Sequence, residues 1–158
     1  MKGNAKVHGL LNELLSLELT AVHQYLLHAR MLEDWGYERL YAKLSAEVSD
    51  ELGHAGELME RILFLEGVPD AQKLGTVHAG ASVDELFRLD LDVEKTAAST
   101  LNRGIAECRT LGDEGTAELL ERLLEDTEEH LHWIESQLEL IAQVGLQNYL
   151  SEQIKASS

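Results

Sequence analysis

Residues 38–66 read ERLYAKLSAEVSDELGHAGELMERILFLE, and Leu40, Leu44, Val48, Leu52, Leu58, Ile62 and Leu65 recur there at helical spacing over almost thirty residues. A helix of that length spans roughly 40 Å at about 1.5 Å per residue, far beyond the usual helix of a globular protein, so it needs partners of similar length beside it. The sequence supplies three. One runs from about Ala5 to Glu33, carrying Leu10, Leu14, Leu17, Val22, Tyr25 and Met31, and stops at Trp35-Gly36. Another opens at Ser82-Val-Asp-Glu85, which has the form of a capping box, and continues to about Leu111. A third follows the tight turn Gly112-Asp-Glu-Gly115, from about Thr116 to Val144. After Gly145, LQNYLSEQIK predicts a short fifth helix, and the tail from Lys155 to Ser158 is expected to fray. Between the second and third helices, residues 67–81 hold Gly67, Pro69, Gly75 and Gly80 and too few apolar periods for a helix. Two hairpins joined by one long link predict an all-α four-helix bundle with a long crossover.

The chain has 158 residues, 44% hydrophobic and 27% charged, which suits a single domain over residues 1–158 with a sizeable core. Lysine and arginine number 13 against 29 aspartates and glutamates, a formal charge of −16. That balance argues against nucleic acid and anionic membrane surfaces as partners, because both attract cationic proteins. The acids either keep the surface solvated or gather cations. Cys108 is the single cysteine and cannot close an intrachain disulfide. The N-terminal leucines are interrupted by Glu13 and Glu18, so neither a signal peptide nor a membrane span is expected and the protein reads as cytoplasmic.

The informative residues are polar ones on stripes that ought to be apolar. On the first helix Glu18 shares the stripe of Leu11, Leu14, Leu15, Val22 and Tyr25. On the second, Glu47, Glu51, His54 and Leu58 step by 4, 3 and 4, so Glu51 and His54 form an ExxH pair one turn apart. Glu94 lies on the stripe of Leu91, Ala98, Leu101 and Ile105, and His130 falls among Leu120, Leu123, Leu124, Thr127 and Ile134. Singly, each has an ordinary reading as a solvated boundary glutamate or a satisfied core histidine. Together, Glu18, Glu51, His54, Glu94 and His130 send a metal-ligating group inward from the middle of every long helix. Buried carboxylates without partners are unfavourable, and bound cations are the simplest compensation. Two divalent ions suit the set; carboxylate with imidazole favours iron or manganese and also admits zinc. Tyr25 and Trp133 are expected to pack near this centre, whereas His8, His23, His28, His78 and His132 read as surface or structural.

This arrangement resembles the ferritin-like di-iron carboxylate proteins, and within them the bacterioferritins. The resemblance covers essentially the whole chain, through the MKG start, ELTAVHQYLLHARM, EDWG, HAGELMERILFLEGVP, GDEGTAELLERLLEDTEEH and HWIESQLELIAQVGLQNYLSEQI. It implies a shell of twenty-four subunits storing iron mineral, with a di-iron ferroxidase centre in each bundle and b-type haem between paired subunits. It also implies that Glu18, Glu51, His54, Glu94 and His130 hold the two irons and that Glu51 bridges them.

Three positions depart from the family pattern. Thr127 stands where a second bridging glutamate belongs, which removes one negative charge and weakens the hold on the second iron. Asp126 and Glu128, each about 100° around the helix, can lean inward, although full rescue is not the expectation. Leu52 occupies the position of the haem-ligating methionine and offers no donor, and Met59 lies two turns away. Haem b is then expected only at an interface with a sister subunit that supplies the methionine. Ala46 replaces a histidine of the inner surface, which is expected to slow iron passage to the cavity.

Two functional expectations follow. One is an iron-storage subunit with ferroxidase activity, taking Fe(II) and oxygen or peroxide. The other is a shell subunit with a weakened or inactive centre, co-assembled with a sister bacterioferritin. A helical interaction bundle without metal is the remote third.

Overall fold

A computed structural model describes residues 1–155, and the tail expected to fray falls outside the described residues from Ala156 onward. It contains α1 (Ala5–Asp34), α2 (Glu38–Phe64), α3 (Val83–Thr110), α4 (Glu114–Val144) and the short α5 (Leu146–Ser151). Among the described residues no strand occurs, and none of the helices is long and apolar enough to cross a membrane. The four long helices form two hairpins, α1 with α2 and α3 with α4, and α1 also packs along α3. Ion pairs link α2 to α4 through Arg61–Asp113 at 2.9 Å and Glu57–Arg122 at 2.9 Å. Residues 65–82 connect the hairpins as the long crossover.

The helix ends follow local chemistry. Asn4 caps α1 by accepting from the Lys6 N–H at 2.8 Å. At the other end Gly36 takes φ +88°, and the Tyr37 N–H returns to the Leu32 carbonyl at 2.9 Å, which is the Schellman closure. The end of α2 differs in detail. There the positive φ, +62°, falls on Glu66, while a Cβ on Gly67 would stand 3.0 Å from Ile62 and 3.2 Å from His8. Glycine at 67 answers crowding, and glutamate at 66 bears the left-handed backbone.

The capping box at α3 forms only in part. Ser82 sits at the N-cap in an extended conformation without a side-chain cap bond, and Glu85 reaches back to accept from the Ala81 N–H at 2.8 Å. Helix α4 starts two residues before Thr116, because Asp113 accepts from both the N–H and the hydroxyl of Thr116, at 3.0 and 2.7 Å.

The core divides into two apolar clusters. One joins Leu11, Leu14 and Leu15 of α1 to Leu58, Ile62, Leu101, Leu120 and Leu123. The other joins Tyr25 and Leu32 to Leu40, Leu44, Phe87, Ile134 and Tyr149 of α5. Between them, on all four long helices, lies a buried polar layer of Glu18, Glu47, Glu51, His54, Asp90, Glu94, Thr127 and His130.

Candidate metal centre

Each helix brings its polar residues to this layer on its buried stripe, with apolar residues such as Leu14 and Val22 flanking Glu18, and Leu44 and Leu58 flanking the run from Glu47 to His54, carrying the polar groups in with them. Glu18, Glu51, His54, Glu94 and His130, which the sequence placed on inward stripes, are all buried and converge. His54 Nδ1 lies 3.3 Å from Glu51 Oε2 and 3.6 Å from Glu18 Oε2. His130 Nδ1 lies 2.8 Å from Glu94 Oε1. Two groups can each hold a cation, Glu18 with Glu51 and His54, and Glu47 with Glu51 and His130; within each, one ligand atom per residue falls inside 4.8 Å of the others. Glu51 belongs to both, so the two positions share a carboxylate.

The surrounding contacts orient these ligands. Asp126 leans inward as one of the two candidates for compensation, and its Oδ2 lies 3.0 Å from His54 Nε2. It meets the outer nitrogen, leaving Nδ1 aimed at Glu18 and Glu51 without a hydrogen-bond partner. A carboxylate behind a ligating histidine fixes the ring in this way. With its own side chain 60% exposed, Asp126 supports the centre from outside and does not replace a buried bridge. Glu128 is exposed and takes no part. Thr127 is buried, and its hydroxyl is committed to the Leu123 carbonyl at 2.8 Å.

Tyr25 donates its hydroxyl to Glu94 Oε1, and its ring meets His130 edge-on at 5.2 Å between centroids. Trp133 stacks on His130 at 6.2 Å and meets Phe87 edge-to-face. The two aromatics thus pack at the centre as expected, and Tyr25 also holds one of its carboxylates.

Burial dominates the electrostatics. It pushes the Glu51 carboxyl up to about 8, with neighbouring Glu18 adding to the rise and His54 opposing it. Glu94 is raised by burial against the pull of His130. Burial disfavours a charged His54, but Glu18 and Glu51 outweigh it and raise the imidazolium to about 11. His130 is raised by Glu94 in the same sense. Acids that resist ionising and imidazoles that retain protons describe a layer that meets its charge with protons, which an entering divalent cation would have to displace. The donor set and the unpartnered His54 Nδ1 therefore fit a pair of divalent ions.

The sequence placed Glu47 on the inward stripe without giving it a partner, and it gave His28 none. Glu47 is buried beside His130, with Oε2 3.4 Å from Nδ1, while Oε1 pairs with Lys43 Nζ at 3.0 Å. His28 is structural, as expected, but it has a partner: Nδ1 lies 2.7 Å from Asp90 Oδ1 and Nε2 lies 2.9 Å from the His78 carbonyl, with Gln24 alongside. This network ties the crossover to α1 and α3. Asp90 sits four residues before Glu94, a step that could have revealed it.

The haem position does not fit haem. Leu52 is 52% exposed and presents only hydrocarbon, and Met59 packs against the apolar core.

A family model described as "Ferritin-like domain" matches residues 9–144, which covers the four long helices except the first turn of α1 and takes in every residue of the centre. The chain is 44% identical to "Bacterial ferritin" of Synechocystis sp. over 98% of its own length and 99% of that protein's. Identity is also 44% to "Bacterial ferritin" of Pseudomonas aeruginosa, over 98% of this chain and 100% of the relative. It is 41% to "Bacterioferritin" of Mycobacterium bovis, over 96% of each. The chain therefore belongs to the bacterioferritins of the ferritin-like family.

Proposed function

We propose that the chain is an iron-storage subunit that binds Fe(II) within its own bundle, oxidises it and delivers Fe(III) to a mineral inside a shell of twenty-four cytoplasmic subunits. The observation that carries this reading is the buried polar layer, in which two metal-sized groups share Glu51 between two apolar clusters. Its membership of the bacterioferritins supports iron as the cation and self-association as the setting.

Glu18 and His54 would hold one ion, Glu94 and His130 the other, with Glu51 available to both. Asp126 keeps His54 Nδ1 directed inward, and the Tyr25 hydroxyl fixes Glu94. The apolar clusters above and below exclude bulk water, so the charge on each carboxylate acts at low dielectric. Bound iron supplies the electrons that reduce oxygen or peroxide. The protein's share is geometry, charge and the release of protons held at Glu51 and His54.

Initial aerobic Fe(II) oxidation by the purified assembly tests this. Glu51→Gln keeps the shape and removes the shared carboxylate, and it is expected to slow oxidation by roughly tenfold or more. A rate equal to that of the unaltered protein would contradict an intra-bundle ferroxidase. That result would favour the second reading, a shell subunit that relies on a sister bacterioferritin for chemistry, whose specific support is the neutral, backbone-bonded Thr127 in the second bridging position.

A further inference from the structure

We propose that Glu47 is a metal ligand of the intra-bundle centre and supplies the carboxylate that Thr127 lacks. The inference rests on the di-metal reading above and deepens it. Glu47 is one turn before Glu51 on α2, buried within the bundle, with Oε2 3.4 Å from His130 Nδ1. Glu47, Glu51 and His130 each offer a donor atom within 4.8 Å of the others, a group as compact as Glu18, Glu51 and His54. In the neighbouring half of the same layer, His54 Nδ1 is buried without a hydrogen-bond partner, as a vacant ligand atom would be.

Position 127 provides no competing donor, since its hydroxyl is bound to Leu123 and it carries no charge. Asp126 is engaged on the outer face of His54 and Glu128 is exposed, so neither competes with Glu47 Oε2, which lies 3.4 Å from His130 Nδ1. Charge agrees with this assignment. Glu18, Glu51 and Glu94 bring three negative charges to two divalent cations, and Glu47 brings the fourth, making the centre neutral with neutral imidazoles. A neutral buried centre avoids the cost of an uncompensated charge in a low dielectric.

Lys43 sets the direction of the new ligand. It holds Glu47 Oε1 at 3.0 Å while its ammonium lies 5.0 Å from the centroid of the Trp133 ring, on the side of the layer from which Trp133 stacks against His130. Oε1 is thereby tied at the rim and Oε2 is left to face the metal position. A glutamate reaching from α2 also differs in geometry from one on α4: it approaches the second position from the same helix as Glu51.

The test is Co(II) binding to metal-free assembly under anaerobic conditions. It is followed by visible absorption and calorimetry, and the sites are located by cobalt anomalous scattering from soaked crystals. The unaltered chain is expected to bind two Co(II) in the bundle. Glu47→Gln, isosteric with the native residue, is expected to retain the ion at Glu18, Glu51 and His54 and to weaken the one at His130 at least tenfold. Thr127→Glu in that background is expected to restore the second ion. Two ions held with unchanged affinity in Glu47→Gln would overturn the assignment while leaving the di-metal centre standing. A single ion in the unaltered chain, indifferent to Glu47→Gln, would overturn it as well and show the second position to be disabled. No ion in the bundle would overturn the inference together with the reading beneath it. Co-elution of each variant with the native assembly separates lost binding from lost folding.

Discussion

Glu66 holds φ at +62°, a conformation that costs a side chain bearing a Cβ about 1 kcal/mol, because Gly67 beside it is required for close packing against Ile62 and His8. Among the described residues Glu66 pairs with the exposed N-terminus at 3.3 Å, and such a pair contributes little. Glu66→Gly is therefore expected to stabilise the fold by about 0.5–1 kcal/mol in guanidinium unfolding; an unchanged or lower midpoint would show that the backbone is not strained there. The same scale shows what the sequence could reveal. Glu18, Glu51, His54, Glu94 and His130 were legible because each interrupts an apolar stripe at a position where burial is otherwise assured. Glu47 lies on the same stripe and was readable as inward. Its role was hidden because its partner, His130, sits on another helix, and because Lys43, four residues earlier, makes it look like an ordinary surface pair.

Among the elements, α4 depends most visibly on a single side chain at its start. Asp113 is the N-cap, and Arg61 of α2 donates to the same carboxylate at 2.9 Å. Burial works to raise this carboxyl, but the bonds from Thr116 and Arg61 prevail and hold it below its ordinary value of 3.8. A depressed folded value means that the stabilisation is present above the unfolded value and disappears as pH falls through the folded one. Asp113→Ala is expected to cost about 1–2 kcal/mol at pH 7. The gap between variant and native unfolding midpoints should narrow on acidification below about pH 4. A gap independent of pH would place the effect in packing instead of charge. Helix existence and length were legible from periodicity, whereas the start of α4 was read two residues late, because Gly115 looked like part of the turn when Asp113 had already begun the helix. The crossover was legible as a link from its glycines and proline. Its anchorage through His78, Gln24, His28 and Asp90 was not, since those contacts join residues fifty or more positions apart.

For the whole molecule, the bundle consists of two apolar halves separated by one charged layer, and the layer is where stability gives way to function. Hydrocarbon above and below supports the fold, and under the proposed function cations would compensate the acids between them. Of the 29 acidic residues, Glu18, Glu47, Glu51 and Glu94 are the glutamates buried in this layer. On the outer face Leu52 presents no donor, so the chain expressed alone is expected to show no haem Soret band, and a band that survived Met59→Leu would reveal another ligand. The most direct test of the central claim is an iron anomalous difference map from crystals of the assembly soaked in Fe(II). Two peaks are expected inside each bundle, one beside Glu18 and His54 and one beside Glu94 and His130, with Glu51 between them. A bundle without iron, with peaks confined to the surface of the shell, would contradict it.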